Sequence, residues 1–216
     1  MIYKFLLLLF LLFVPMQSNA QGTLVLVVDL SVSISDENKQ LQMDSYATAM
    51  DWITPLEHMN IEVIIFGKKS YHISSGSRQN AATAFRISQD IDRSSTCLHQ
   101  ALEYVELMYD TLPRPVIIDI SGDGEENCDS VEKTQQLLDR LAAKGAIVNT
   151  LMIPLDKTFM LEWMTPESIE EKEQDLRNYY QSLIRGQGSF FMYIENFYDF
   201  EEAIIRKIVK EIALLE

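Results

Sequence analysis

TLVLVVDLSVSIS, residues 23–35, runs apolar from Leu24 to Val28 and then leaves that run on Asp29, Ser31 and Ser33 at alternate positions, with Ser35 following. A short run that is apolar throughout, rather than at every second position, reads as a strand buried on both faces. The oxygen-bearing residues after it have two readings. Ser and Asp are common where a strand hands over to a helix, because their side chains cap the helix's free N–H groups. The same rhythm also suits a metal site built from hard oxygen ligands. Taken alone, the stretch leaves both open.

The same kind of run recurs further along. IEVIIFGK (61–68), PVIIDIS (115–121), AIVNTLMIP (146–154) and GSFFMYIEN (188–196) are strand-like. Between them lie segments of helical periodicity: DENKQLQMDSYATAMDW from Asp36, QNAATAFRIS from Gln79, CLHQALEYVELMYD from Cys97, SVEKTQQLLDRLAAKG from Ser130, and a long one from Pro166 to Ile184. A final amphipathic helix, FYDFEEAIIRKIVKEIALLE, begins at Phe197. Apolar strands alternating with helices predict a doubly wound α/β fold, a mainly parallel sheet with helices on both faces. SYHISS (70–75) follows its predecessor too closely for a helical crossover and is expected as one antiparallel edge strand.

The first residues are expected to lie outside that fold. MIYKFLLLLFLLFVPMQSNA (1–20) places Lys4, an apolar stretch from Phe5 to Val14, and Ser18-Asn19-Ala20 in the order of a secretory signal peptide with its cleavage site. The apolar stretch is too short to span a bilayer, and the C-terminal IVKEIALLE is charged and amphipathic. The expectation is a signal peptide over 1–20 and one soluble domain over 21–216, exported to the periplasm or secreted, with no membrane anchor once the signal is cut. The formal net charge of −14 argues against nucleic acid, which needs clustered Lys and Arg, and against anionic membranes. It suits cations or basic partners. Cys97 and Cys128 allow one pairing in an oxidising compartment, and composition leaves a disulfide and two buried thiols equally open.

In open α/β sheets, ligands sit beyond the carboxyl ends of the strands, near the topological switch point. Asp29 to Ser33 lies at the carboxyl end of the first strand, and Ser121-Gly122-Asp123-Gly124 at the carboxyl end of PVIIDIS. Ser94-Ser95-Thr96 opens a helix on the same rim. Three loops therefore deliver hydroxyls and carboxylates to one place, a convergence that capping alone does not predict.

DLSVS, the isolated Thr96 and Asp123 within SGDG resemble the metal-ion-dependent adhesion site of von Willebrand factor A-type domains. That signature is Asp-x-Ser-x-Ser, then Thr, then Asp, on three loops of such a sheet. The resemblance covers 21–216, and the runs IDISGDGEEN, LRNYYQSLIRGQGSFF and NFYDFEEAIIRKIVKEI are similar to a bacterial exported branch of uncharacterised function. It implies that Ser31, Ser33 and Thr96 coordinate a divalent cation directly, while Asp29 and Asp123 hold bound waters or approach in one state. The position left open would take an Asp or Glu carboxylate of a protein partner. Mg²⁺ is the expected ion, with Mn²⁺ and Ca²⁺ as alternatives. Neutral hydroxyl ligands leave such an ion electrophilic toward an outside carboxylate. Loops drawn together in this way would also bring Cys97, beside Thr96, to Cys128, and imply a disulfide.

Two other readings are weaker. DISGDG (119–124) imitates the start of an EF-hand loop, but Ser130 stands where the bidentate Glu belongs. A metal-assisted hydrolase at the same ion is the alternative function; it needs a general base, and His99 is the one histidine near a rim loop. The chain is therefore read as a binding module rather than an enzyme. The connection after AIVNTLMIP carries Phe159, Met160, Leu161, Trp163 and Met164 between Pro154 and Pro166, and it leaves the strand on the metal-bearing rim. These residues are candidate partner contacts, since Trp and Met are suited to binding surfaces; local packing on the sheet edge is the other reading.

Overall fold

The computed structural model describes residues 22–87, 90–155, 161 and 164–215, so the expected signal peptide lies outside the described residues. Six strands form one sheet: β1 (Thr23–Asp29), β2 (Asn60–Phe66), β3 (Ser70–Ser74), β4 (Val116–Gly122), β5 (Ile147–Met152) and β6 (Phe191–Tyr193). Their order is β3-β2-β1-β4-β5-β6, parallel throughout except for β3, which runs antiparallel at the edge beside β2. The chain moves outward from β1 in one direction, then restarts at β4 on the other side. The switch point is therefore the gap between the carboxyl ends of β1 and β4.

Every residue of β1 is buried. Leu24, Leu26 and Val28 enter one core and Val25 and Val27 the other, which is why the strand shows no polar alternation. The first core lies under helices α1 (Asp36–Trp52), α2 (Arg78–Arg86) and α6 (Phe200–Ile212). The second lies under α3 (Leu98–Met108), α4 (Val131–Ala143) and α5 (Pro166–Leu183). Val28 pairs in register with Ser121, so Asp29 and the residues after β4 leave the sheet at the same level.

Two expectations shift in detail. Of GSFFMYIEN only Phe191–Tyr193 pair as a strand. Gly186 and Gly188 take φ values of 91° and 82°, so the run is entered through a turn, and Phe190 gives its N–H to the Asn149 side chain instead of a ladder partner. The last helix starts at Phe200 after a 3₁₀ turn over Phe197–Asp199.

Candidate metal centre

The opening stretch divides its work. Ser35 is the N-cap of α1, its Oγ accepting the Asn38 N–H at 3.3 Å. Capping thus belongs to Ser35, and Asp29, Ser31 and Ser33 point elsewhere. Asp29 Oδ1 accepts the Ser31 N–H at 2.7 Å, which folds the loop back over the end of β1. Ser31 Oγ and Ser33 Oγ lie 3.0 Å apart, and Ser33 Oγ donates to Asp123 Oδ1 at 2.5 Å, across the switch point. Thr96 completes the group from the loop before α3. A methyl group on Gly124 would stand 2.7 Å from Thr96 Oγ1, and one on Gly122 would stand 2.7 Å from Asp29 Oδ2. Both glycines leave that space to oxygen atoms. All five expected residues therefore converge, and Ser31, Ser33, Thr96 and Asp123 line an open cleft of about 660 Å³.

The charges of this group are unbalanced. Asp29 is 0% and Asp123 2% exposed, and Asp29 Oδ2 has no hydrogen-bond partner. Burial raises the Asp29 carboxyl to about 6, against its hydrogen bonds from Ser31 and the charge of Arg93. Burial and then the charge of Asp29 push Asp123 up to about 8, opposed by Ser33 and by Lys172 across the cleft. Two desolvated acids with hydroxyls between them and one orphaned oxygen are a donor set that a hard divalent cation fits.

Several supporting residues were not apparent from the sequence. Arg93 donates from Nε to Leu30 O at 2.7 Å and from Nη2 to Ser31 O and Ile34 O, while its own carbonyl accepts the Val32 N–H. It gathers the backbone carbonyls of the first loop and ties that loop to the one bearing Thr96. Glu126 is buried and accepts three N–H groups, from His99, Cys128 and Asp129 at 2.5, 2.7 and 2.9 Å, so it caps α3 from another loop. Asn127 and Thr96 exchange two hydrogen bonds, and Cys97 and Cys128 are joined in a disulfide with Cα atoms 5.1 Å apart. Three consecutive residues thus fasten the Asp123 loop to the Thr96 loop. Their one sequence signal is adjacency to SGDG and Thr96.

Ser130 caps α4 through the Lys133 N–H, which accounts for it without an EF-hand. The His99 ring lies against Thr134 and Glu103 and is not among the residues lining the cleft. Met164 lines the cleft and Leu161 is exposed, whereas Phe159, Met160 and Trp163 lie outside the described residues.

Comparison with known proteins fixes the kinship. A family described as protein of unknown function (DUF1194) matches residues 72–216. The chain belongs to the DUF1194 family. No curated protein matches this DUF1194 member in sequence. Among solved structures it is similar to proximal thread matrix protein 1 from the mussel byssus, at 13% identity and a TM-score of 0.68, over 89% of this chain and 48% of that one. A second structure of the mussel protein, with a zinc-occupied MIDAS motif, gives 15% identity, a TM-score of 0.64 and coverage of 89% and 46%. The von Willebrand factor type A protein of Catenulispora acidiphila gives 15% identity, a TM-score of 0.61 and coverage of 88% and 42%. This DUF1194 chain spans just under half the length of these relatives, and it shares their von Willebrand factor A fold.

Proposed function

We propose that residues 21–216 form one exported domain, behind a signal peptide over 1–20, that captures an acidic side chain of a protein partner through a divalent cation. Asp29, Ser31, Ser33, Thr96 and Asp123 would hold the ion. One observation carries the reading: two buried carboxyls, without an ion-pair partner among the described residues, share a cluster of hydroxyls at the floor of an open cleft.

Each residue has a definable task. Asp29 braces its loop through Oδ1 and keeps Oδ2 free. Ser31 and Ser33 offer neutral oxygens, and Ser33 holds Asp123 toward the first loop. Gly122 and Gly124 keep carbon out of the space beside Asp29 and Thr96. When bound, the ion supplies an electrophilic position for the partner's carboxylate. The donor set is all oxygen, which favours Mg²⁺, with Mn²⁺ or Ca²⁺ as alternatives. The zinc in the mussel protein's motif supports a divalent ion here. Export is supported by the Cys97–Cys128 disulfide, which needs an oxidising compartment. No helix among the described residues is long and apolar enough to cross a membrane. A hydrolase would need a base beside the ion, and the His99 ring is engaged elsewhere.

Calorimetric titration with Mg²⁺ tests the site. One binding event is expected in the native protein and none in Asp123→Ala, whose circular dichroism should remain native. Unchanged affinity in that variant would overturn the assignment.

A further inference from the structure

The cleft above the candidate ion position carries more charge than ion binding requires. Its outer wall is one face of α5, where Ser168, Lys172 and Leu176 stand a turn apart with Glu171 and Asp175 beside them. Glu125 faces them from the Asp123 loop. Glu126 also lines the cleft, but its carboxylate is used by three backbone N–H groups. Lys172, Glu171, Asp175 and Glu125 are exposed, and among the described residues none of them has an ion-pair partner within 4.0 Å. This contrasts with Arg93, Lys133 and Arg185, which are all paired. Among the described residues, the opening therefore carries one free ammonium among three free carboxylates, with the buried Asp123 in the same cleft.

That arrangement is selective. A carboxylate entering alone gains from the ion position and from Lys172, and is repelled by the three acids. A ligand that brings a cation beside its carboxylate satisfies both sets. We propose, resting on the metal-dependent capture set out above, that the cleft recognises an acidic side chain with a basic neighbour. The carboxylate lies between the ion position and Lys172, and the Lys or Arg of the partner faces Glu125, Glu171 and Asp175. Lys172 is then a specificity residue whose charge opposes the ion and favours the ligand. Lys172 lines the same cleft as Ser31, Ser33, Thr96 and Asp123.

The test uses the chain from residue 21 with labelled octapeptides differing at two central positions: Asp-Lys, Asp-Ser, Asp-Glu and Asn-Lys. Binding is followed by amide chemical shifts up to millimolar peptide, in Mg²⁺ and in chelator, and Mg²⁺ affinity is measured separately. Asp-Lys should bind about fivefold tighter than Asp-Ser, and Asp-Glu more weakly than either, since exposed pairs are each worth a few-fold. Lys172→Ala should weaken Asp-Ser about tenfold, as expected for a charged hydrogen bond, while Mg²⁺ binds no more weakly than before. A Glu171→Gln/Asp175→Asn variant should lose the preference for Lys while still binding Asp-Ser. Equal binding of the three Asp peptides, unaffected by Lys172→Ala but still Mg²⁺-dependent, overturns this inference and leaves the capture reading intact. Failure to distinguish Asp-Lys from Asn-Lys, in a protein that holds Mg²⁺, overturns the capture reading and this inference with it.

Discussion

Asp119 and Asp123 lie within β4 and just beyond its end, and both carboxyls are removed from water, yet their neighbours differ in kind. Asp119 is paired with the ammonium of Lys207, which also donates to Glu211 Oε1 at 2.8 Å; the three side chains are 0–1% exposed. Asn149 adds a bond to Glu211 at 3.1 Å. Asp123 meets Asp29 across two hydroxyls instead. The inner pair of acids carries its cation on α6, covalently part of the chain. Among the described residues the rim pair has no cationic side chain within ion-pair distance, and Asp29 Oδ2 has no hydrogen-bond partner. An acid pair with a tethered cation fastens an element; under the proposed function, the rim pair would take an exchangeable cation instead.

The two sites should respond oppositely to mutation. Lys207→Met is expected to have the largest effect, a loss of about 3–5 kcal/mol in urea unfolding, because it strands Asp119 and Glu211 in the core. If that variant unfolds like the native protein, the fastening role is wrong. The same trio should set a pH dependence. Burial, then the charge of Asp119, raises Glu211 to about 8 against the pull of Lys207 and Asn149. Burial lowers Lys207, but the two acids leave it above its ordinary value. Glu211 thus keeps its proton up to about pH 8. A carboxyl raised in the folded state contributes its full stability below its unfolded value near 4.5 and loses it as pH rises through about 8. The urea midpoint should fall across that window, and Glu211→Gln should flatten the fall.

Replacing both Cys97 and Cys128 by Ala should cost about 3–4 kcal/mol in the chain-entropy model and weaken Mg²⁺ binding as well. A loss of stability with unchanged Mg²⁺ affinity would show that the loops keep their spacing without the crosslink. At the rim, burial holds the Asp123 carboxyl at about 8, so Asp123→Asn should stabilise the metal-free protein as pH rises through that value, where the native carboxyl has to ionise out of water. Destabilisation there would mean that the rim acids are compensated after all. The smallest effects separate neighbours in one loop. Ser35→Ala should cost about 1 kcal/mol through the lost cap and leave Mg²⁺ affinity alone. Ser33→Ala should do the reverse, lowering Mg²⁺ affinity with little change in the thermal midpoint.

Much of this was legible in the sequence, for reasons tied to particular residues. The apolar runs marked the strands because β1 and β4 are buried on both faces, and α1 runs over the segment expected, Asp36–Trp52. The rim residues were legible because strand ends locate them whatever the loop details. Arg93 and Glu126 were not, because their partners are backbone groups of other loops and leave no period behind. The inner trio lay in plain view. Phe200, Ala203, Ile204, Lys207, Ile208 and Glu211 form one buried stripe of α6, and Asp119 interrupts an apolar strand. A Lys on an apolar stripe and an Asp in an apolar strand are matching anomalies, and each predicts the other.

The Cys97–Cys128 bond also shapes the chain when it is not folded. It closes residues 97–128, a separation of 31 with α3 and β4 inside it, into a ring. In the denatured ensemble the backbone on either side of that ring remains free, but Thr96 and Asp123 stay within a few residues of a shared knot. Two of the three oxygen-bearing loops are thus neighbours before any sheet exists, and their mutual search is over when the bond forms. Only DLSVS has to arrive by diffusion, brought by β1 as it lies down beside β4.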